Sequence, residues 1–363
     1  MQNILYIGQY KDQLGLGESC RKFIDCLSSH PKINLAIRPI YVNSDNATPV
    51  NKEEHIEYEN NNYKKYDMLI QHVWPDYMSY DNRFGKNIGI VEIETKNIKH
   101  SGWIDRLNLL DEIWVNSYYA ANSLTASHVS KPIKIIPEPY KINTNPTDPF
   151  FSSSETSKIK PYIFYTIGHY TEKHNIKNII LAFLLEFNEY DNARLFIKTH
   201  SIHHKNEDLE NIIKFDIQHI KNFIRKPSNS YPDIDILCGV LSEADKIRLH
   251  KSSDCYINAV RADPGCSTAI EAALYDSLVI STKHIGSSTY FNSTNAIMVD
   301  ATETSVLSEY TQIKNIYTHH EYWYDPSIKH LRQCMREAYI NRKVETPINK
   351  EIFTYDYING LIL

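Results

Sequence analysis

Asp263 and Glu271 stand eight positions apart in the stretch Ala262–Ser281, ADPGCSTAIEAALYDSLVIS. Pro264 and Gly265 read as a turn, Cys266 to Tyr275 as a helix with Ser267 and Thr268 in its first turn, and the residues behind it as an apolar strand. The N–H groups that open a helix lack partners within it and favour anions, so a diphosphate fits against Ser267 and Thr268. One turn further in, Glu271 can accept hydrogen bonds from ribose hydroxyls, while Asp263 can meet the hydroxyls of a sugar. A loop acid followed by a solvated helix acid is the plainer reading, so the stretch gains meaning only with the rest of the chain.

Cations sit where such a ligand needs them. Lys173, in GHYTEKHNIKNIILAF, follows one predicted strand and precedes a helix, and Lys198 closes the next strand in LFIKTH. Two lysines converging at strand ends can neutralise a leaving diphosphate as point charges, without a metal. Each alone also suits a solvated position. Near the N terminus, QYKDQLGLGESCR carries Gly15 and Gly17 ahead of a helix, which allows close backbone approach of a phosphate or sugar. The third glycine of a dinucleotide fingerprint is missing, so a tight turn is the default there. His72 and His100 follow strand-like runs, and a structural histidine is the better reading of both. HSIHH, His200–His204, lacks companion carboxylates or cysteines at ligand spacing and reads as surface loop, so no metal site is expected. Neither a G-x-S-x-G elbow nor a P-loop is present, which leaves hydrolase and kinase readings without support.

These residues must be positioned by repeating strand and helix units. Strand-like runs at Ile4–Gly8, Leu35–Tyr41, Met68–Gln71, Asn87–Glu92, Glu112–Asn116 and Ile133–Ile136 alternate with helical patterns such as Glu18–Ser29 and Tyr118–Ser127. A second series follows at Tyr162–Ile167, Arg194–Thr199, Asp235–Cys238, Cys255–Asn258, Leu278–Ser281 and Ala296–Val299, with helices near Asn175–Asn188, Glu243–Lys251 and Thr268–Tyr275. Such alternation predicts parallel sheets with helices on both faces, an α/β architecture. Asn143–Lys160, rich in Pro, Ser, Thr and Asn, reads as the linker. Ile202–Tyr231 reads as a charged, helix-rich insertion, and Glu321–Arg342 as a helix crossing back onto the first domain. The expected division is residues 1–145, an acceptor-binding domain; 158–340, a nucleotide-sugar-binding domain; and 341–363, a segment packing back on the first. Ligands of such sheets bind outside the carboxyl ends of the strands.

At 363 residues the chain exceeds one ordinary core. With 39 Lys and Arg against 44 Asp and Glu, its net charge of −5 lacks the electrostatic footprint of a nucleic-acid binder. Six cysteines without C-x-x-C spacing read as reduced thiols, MQNILYIG as a buried strand rather than a signal peptide, and no apolar run is long enough to span a membrane. A cytoplasmic protein with at most peripheral membrane contact is expected.

Taken in order, GLGESCR, VEIETKNIKHSGWIDRLNLLDEIWVNSYYAANSL, IIPEPY, GHYTEKHNIKNIILAF, LFIKTH and the D-x7-E stretch resemble the glycogen-synthase-like family of retaining glycosyltransferases, glycosyl transferases group 1. The resemblance covers nearly the whole chain. It implies the GT-B fold, two Rossmann-like domains facing across a cleft, and metal-independent transfer of a hexose or pentose from a UDP- or GDP-sugar with retention. It places the family's carboxylate pair on Asp263, toward the donor sugar, and Glu271, toward the ribose. Its basic pair at the diphosphate falls on Lys173 and Lys198, its glycine loop on Gly15 and Gly17, and its Glu of the IVEIETKN segment on Glu94, with Glu92 the competitor. Asp263 is one methylene shorter than the family's usual Glu, and EKHN replaces an Arg-Lys pair, which leaves Lys173 and His174 both open as the phosphate contact. In such a transfer the acceptor attacks on the face the leaving group departs from, and the leaving phosphate takes its proton.

The first domain is expected to bind the acceptor, with Trp74, Tyr77, Tyr80, Trp103, Tyr118 and Tyr119 able to stack on sugar rings or bases or to pack a core. A glycan or lipid-linked glycan of polysaccharide biosynthesis, a protein, or a modified DNA base are candidate acceptors, and the acidic charge favours the glycan over DNA. A non-catalytic nucleotide-sugar-binding protein and a non-hydrolysing epimerase are the rival readings.

Overall fold

The computed structural model describes the chain apart from residues 14, 42–49, 146–147, 152–159, 202, 228–229, 307–316, 319 and 342–345. The described residues divide into two compact units, one of residues 1–141, 305–322 and 349–363, the other of residues 142–304 and 323–348.

In the first unit, β1 (Gln2–Gly8), α1 (Gly15–Ser28), β2 (Ile33–Pro39), α2 (Glu53–Asn60), β3 (Met68–His72), β4 (Lys86–Ile90), α3 (Trp103–Leu107), β5 (Glu112–Val115), α4 (Tyr118–Ala126) and β6 (Ile133–Ile135) follow in order. The six strands form one sheet, β2-β1-β3-β4-β5-β6, with parallel pairing throughout. Parallel strands covered on both faces need apolar residues on both, and the sheet is packed accordingly. One face buries Ile4, Tyr6, Ile24 and Leu27. The other buries Val91, Trp103, Leu107 and Leu124.

The second unit contains β7 (Tyr162–His169), α5 (Ile176–Glu186), β8 (Ala193–His200), α6 (Asn206–Ile224), β9 (Asp233–Cys238), α7 (Glu243–Ser252), β10 (Cys255–Asn258), α8 (Ser267–Leu274), β11 (Leu278–Thr282) and β12 (Ile297–Val299). Its sheet runs β12-β11-β10-β7-β8-β9, again all parallel. Strand order therefore reverses between β7 and β10. At such a switch point the loops leaving two adjacent strands diverge to opposite faces and open a crevice at the strand carboxyl ends.

Three expectations need correction. Glu321–Arg342 is not one helix. Its first part is the strand β14 (Tyr322–Pro326), which pairs with β13 (Ala301–Ser305), and the helix α9 (Ile328–Asn341) starts only after it; Arg342 lies outside the described residues. Three successive aromatics in YWYDP, residues enriched in strands, favour the extended chain over the helix. α9 packs into the core of the second unit, through Leu331, Cys334 and Met335 against the α5 side, rather than onto the first. Residues 305–322, expected in the second domain, cluster with the first unit, as do residues 349–363 with the last helix, α10 (Tyr355–Ile362). Most of the Asn143–Lys160 linker lies outside the described residues. All six cysteines are free thiols. No helix among the described residues is long and apolar enough to cross a membrane.

Candidate functional site

The carboxyl ends of β7, β8 and β10 carry the charged residues of the second unit that the sequence singled out. β8, ARLFIKTH, is buried along most of its length, as a central parallel strand must be, with Leu195, Phe196 and Ile197 as its apolar centre. Lys198 interrupts it near the carboxyl end and is only 7% exposed. Lys173 lies in the turn between β7 and α5, half-buried. Both ammonium groups act on the ring of His169, the last residue of β7, so the two lysines converge on one locality. His174, the alternative to Lys173, turns inward: its Nδ1 is 2.8 Å from the Thr171 hydroxyl and its ring packs so closely on Gly168 that a Cβ there would fall 2.8 Å from Cδ2.

The turn holding Lys173 is tied across the switch point to the segment after β10. The Lys173 carbonyl accepts from the Arg261 N–H at 2.8 Å, and the Asn175 amide donates to the Ala259 carbonyl at 2.9 Å. Asn175 caps α5 in the left-handed region (φ 58°), a conformation Asn tolerates better than most residues. The Arg261 guanidinium then donates to the Glu172 carbonyl at 2.8 Å, to the Glu172 carboxylate at 2.6 Å and to the Asp325 carboxylate at 2.7 Å. A planar fork with several fixed donors suits this bridging, which a lysine could not reproduce. These bonds to carboxylates hold the guanidinium pKa above its ordinary value against the opposing effect of burial.

Asp263 occupies the loop between β10 and α8. Its Oδ1 accepts the N–H groups of Gly265 at 3.1 Å and Cys266 at 2.5 Å, which fixes the turn that starts α8. Cys266 caps the helix at φ 55°, a left-handed conformation unusual for a residue with a Cβ. The loop is also clamped by the turn after β11: the Gly286 N–H donates to the Asp263 carbonyl at 3.0 Å, and a Cβ on Gly286 would lie 2.1 Å from the Pro264 carbonyl oxygen. Ser267 and Thr268 then form the first turn of α8, both half-buried, and the Thr268 side chain is bonded to the Tyr256 phenol.

Glu271 is 6% exposed and is held from α7. Its Oε2 lies 3.0 Å from the Lys246 ammonium and 3.8 Å from His250 Nε2. His250 is itself fully buried, with Nδ1 2.7 Å from the Tyr165 hydroxyl, which is 2.9 Å from the Ser277 hydroxyl. The structure thus brings Lys173 and Lys198 together at the ends of β7 and β8, and sets Asp263, Ser267, Thr268 and Glu271 along the β10–α8 corner beside them.

The remaining sequence candidates belong to the first unit. Gly17 is buried in α1, where a Cβ would meet the Asp12 carbonyl oxygen at 2.2 Å, whereas a Cβ on Gly15 would meet nothing. Arg21 donates to the carbonyls of Tyr10, at 2.9 Å, and Asp12, so the loop after β1 is a tightly held turn. Glu94 accepts a hydrogen bond from the Tyr317 hydroxyl. Glu92 instead bears on Tyr6 and Cys20, at the sheet and α1. His72 is a core histidine, its Nδ1 2.8 Å from the Tyr6 hydroxyl and its pKa lowered to about 3 by burial. His100 is exposed, with its ring 4.5 Å from that of His320.

One histidine expectation is overturned. His200 is the last residue of β8 rather than part of a surface loop, with its ring 3.8 Å from that of His169; only His203 and His204 are exposed. Sequence reasoning also missed Lys246, Arg261, Gly286 and Asp325. Lys246 and His250 lie one helical turn apart on α7, but their partner Glu271 is too distant in sequence for any local pattern to link them. Gly286 carried a usable signal, since the chain has only 11 glycines and a lone one in HIGSS marks a close approach.

No family model matches the chain, and no curated protein matches its sequence. Solved structures match its fold. A variant of S. aureus TarM in complex with fondaparinux, alpha-GlcNAc-glycerol and UDP superposes with a TM-score of 0.51 at 10% identity, over 81% of this chain and 54% of that one, so this chain spans about half its length. Anabaena HepE in complex with UDP and glucose gives 0.59 at 12% identity, over 100% and 98% of the two chains. Sucrose-phosphate synthase from Thermosynechococcus elongatus gives 0.60 at 11% identity, over 99% and 95%. The chain has the two-domain GT-B fold.

Proposed function

We propose that the second unit binds a nucleotide sugar and that the protein transfers the sugar, with retention and without a metal, to a hydroxyl of a glycan or lipid-linked glycan. The observation that carries this reading is that Lys173, after β7, and Lys198, on β8, both act on His169 at the carboxyl ends of the strands, with the opening of α8 and the buried Glu271 following β10 across the switch point. A crevice at that point with two cations and a helix start suits a diphosphate, and a carboxylate one helical turn deeper suits a ribose. The UDP complexes of TarM and HepE support a UDP-sugar as the first donor to try.

In this reading Glu271 accepts from the ribose hydroxyls, the N–H groups of Ser267 and Thr268 donate to the diphosphate, and Lys173 and Lys198 stabilise the charge that grows on it as the glycosidic bond lengthens. The departing oxygen takes the proton of the acceptor hydroxyl arriving on the same face. Asp263 shapes the loop beside the sugar. In the first unit, Glu94 is the catalytic candidate, and Gly15 and Gly17, in the first turn of α1, are the candidates for close approach of a phosphate or sugar.

The test is release of nucleoside diphosphate and transfer of sugar across UDP- and GDP-sugars with glycan acceptors. Lys198→Ala is expected to lower turnover by about 10²–10³-fold, the typical loss of a charge-stabilising donor. Unchanged turnover in that variant contradicts the assignment. A non-catalytic nucleotide-sugar-binding protein is the second reading, favoured by Asp263, whose Oδ1 is given over to the turn. Donor binding without release under any acceptor would select it.

A further inference from the structure

Three imidazoles crowd the carboxyl ends of β7 and β8. The ring centroids of His169 and His200 are 3.8 Å apart, inclined at 49°, and those of His169 and His174 are 5.4 Å apart. His174 is accounted for by Thr171 and Gly168. His200 is not: both its ring nitrogens are shielded from solvent with no hydrogen-bond partner among the described residues. A donor and an acceptor without partners in a shielded place call for a ligand to complete them.

The charges around the pair are of one sign. Lys198 acts on His200, and Lys173, Lys198 and His200 act on His169. From α6, the Asp216 carboxylate already accepts from the Tyr170 hydroxyl at 2.8 Å and meets Lys177 at 3.1 Å. Glu172 is taken by Arg261, and β9 ends beside them at Cys238, whose thiol pKa burial raises. Among the described residues no group of three His, Cys, Asp or Glu side chains is arranged to hold a metal ion. An anion is the ligand that relieves such a cluster.

We propose that His169 and His200 form a proton-linked subsite beside Lys173 and Lys198, in which an arriving diphosphate draws protons onto the rings and their N–H groups donate to its oxygens. The proposal rests on the nucleotide-sugar reading above. Its sign follows from the free protein, where burial, and then the neighbouring cations, hold His169 down to about 3 and His200 to about 4. Both rings are neutral near pH 7, and the negative charge of the diphosphate raises their affinity for protons. Binding therefore takes up protons and tightens as pH falls, by about tenfold per pH unit for each whole proton taken up.

The probe is UDP-glucose, with GDP-mannose as alternative, because a diphosphate esterified at both ends lacks the secondary ionisation of a phosphate monoester near pH 6 and keeps a constant charge between about pH 5.5 and 8. Calorimetric titration of the full chain near pH 7, in buffers of different ionisation enthalpy, should show proton uptake in the wild type, reduced in His169→Gln and His200→Gln. Uptake is read on the wild type, so the test does not depend on the variants folding. Binding with no proton exchange, or uptake that persists undiminished in both variants, overturns the subsite and leaves the donor reading in place. A folded wild-type protein that binds neither sugar nucleotide overturns both.

Discussion

Glu271 is held from behind before any ligand arrives, by Lys246 and the His250–Tyr165–Ser277 network. In the proposed function, a carboxylate so placed would meet a ribose without first losing rotamer freedom, which is the advantage of preorganisation. The same arrangement gives it a structural duty. Glu271→Ala removes the carboxylate from a largely buried Lys246 and is expected to cost about 3 kcal/mol of stability as well as donor affinity. Glu271→Gln keeps the shape and part of the bonding, so denaturant midpoints should order wild type, Gln and Ala. Equal midpoints for wild type and Ala would show that the pair does not hold the site. At this scale the sequence was legible where a residue's type and local context suffice, as for Lys198 at a strand end. It was opaque for His200, because only the β7–β8 register sets that ring against His169.

Two loops at one switch point do the positioning. Lys173 is presented by a turn that owes its shape to Asn175 and Arg261, the latter reaching Glu172 and, through β14, Asp325. Arg261→Met removes this bridge and is expected to destabilise the protein by about 1.5–3 kcal/mol, the range for hydrogen bonds to charged groups, and to weaken donor binding. Denaturant unfolding and donor titration together check it, and a folded variant with unaltered donor affinity would free Lys173 from dependence on the bridge. The strands of both sheets were legible from their apolar runs because parallel central strands are buried on both faces. The β13–β14 pair was not, since short strands such as ATETS are polar and their partner lies across residues 306–321 in sequence.

Both units carry histidines that are neutral because they are buried, His72 in the first and His169 in the second, each held to about 3. The unfolded chain binds protons at these residues from about pH 6.5 downward while the folded chain does not, so stability falls as pH drops from there toward 3. Between pH 6.5 and 5 each contributes a loss of about 2 kcal/mol. Chemical unfolding at a series of pH values checks this, and a midpoint flat from pH 7 to 5 would contradict it. Bound donor should oppose the loss, by mass action and by making protonated His169 useful. The two-unit division was visible in the repeated alternation of elements. The sequence already pointed to the C-terminal segment packing back on the first unit, but the membership of residues 305–322 was not visible, because it depends on tertiary packing such as Tyr317 on Glu94.

The measurement closest to the central claim is the rise in melting temperature across a panel of UDP-, GDP-, ADP- and CMP-sugars, made in parallel on the wild type, Lys198→Ala and Glu271→Ala. A nucleotide-sugar site at the β7–β10 switch point predicts that one diphosphate-linked donor stabilises the wild type and that the rise is lost or much reduced in both variants. A donor that stabilises all three proteins equally, or a panel to which the wild type is silent, would contradict it.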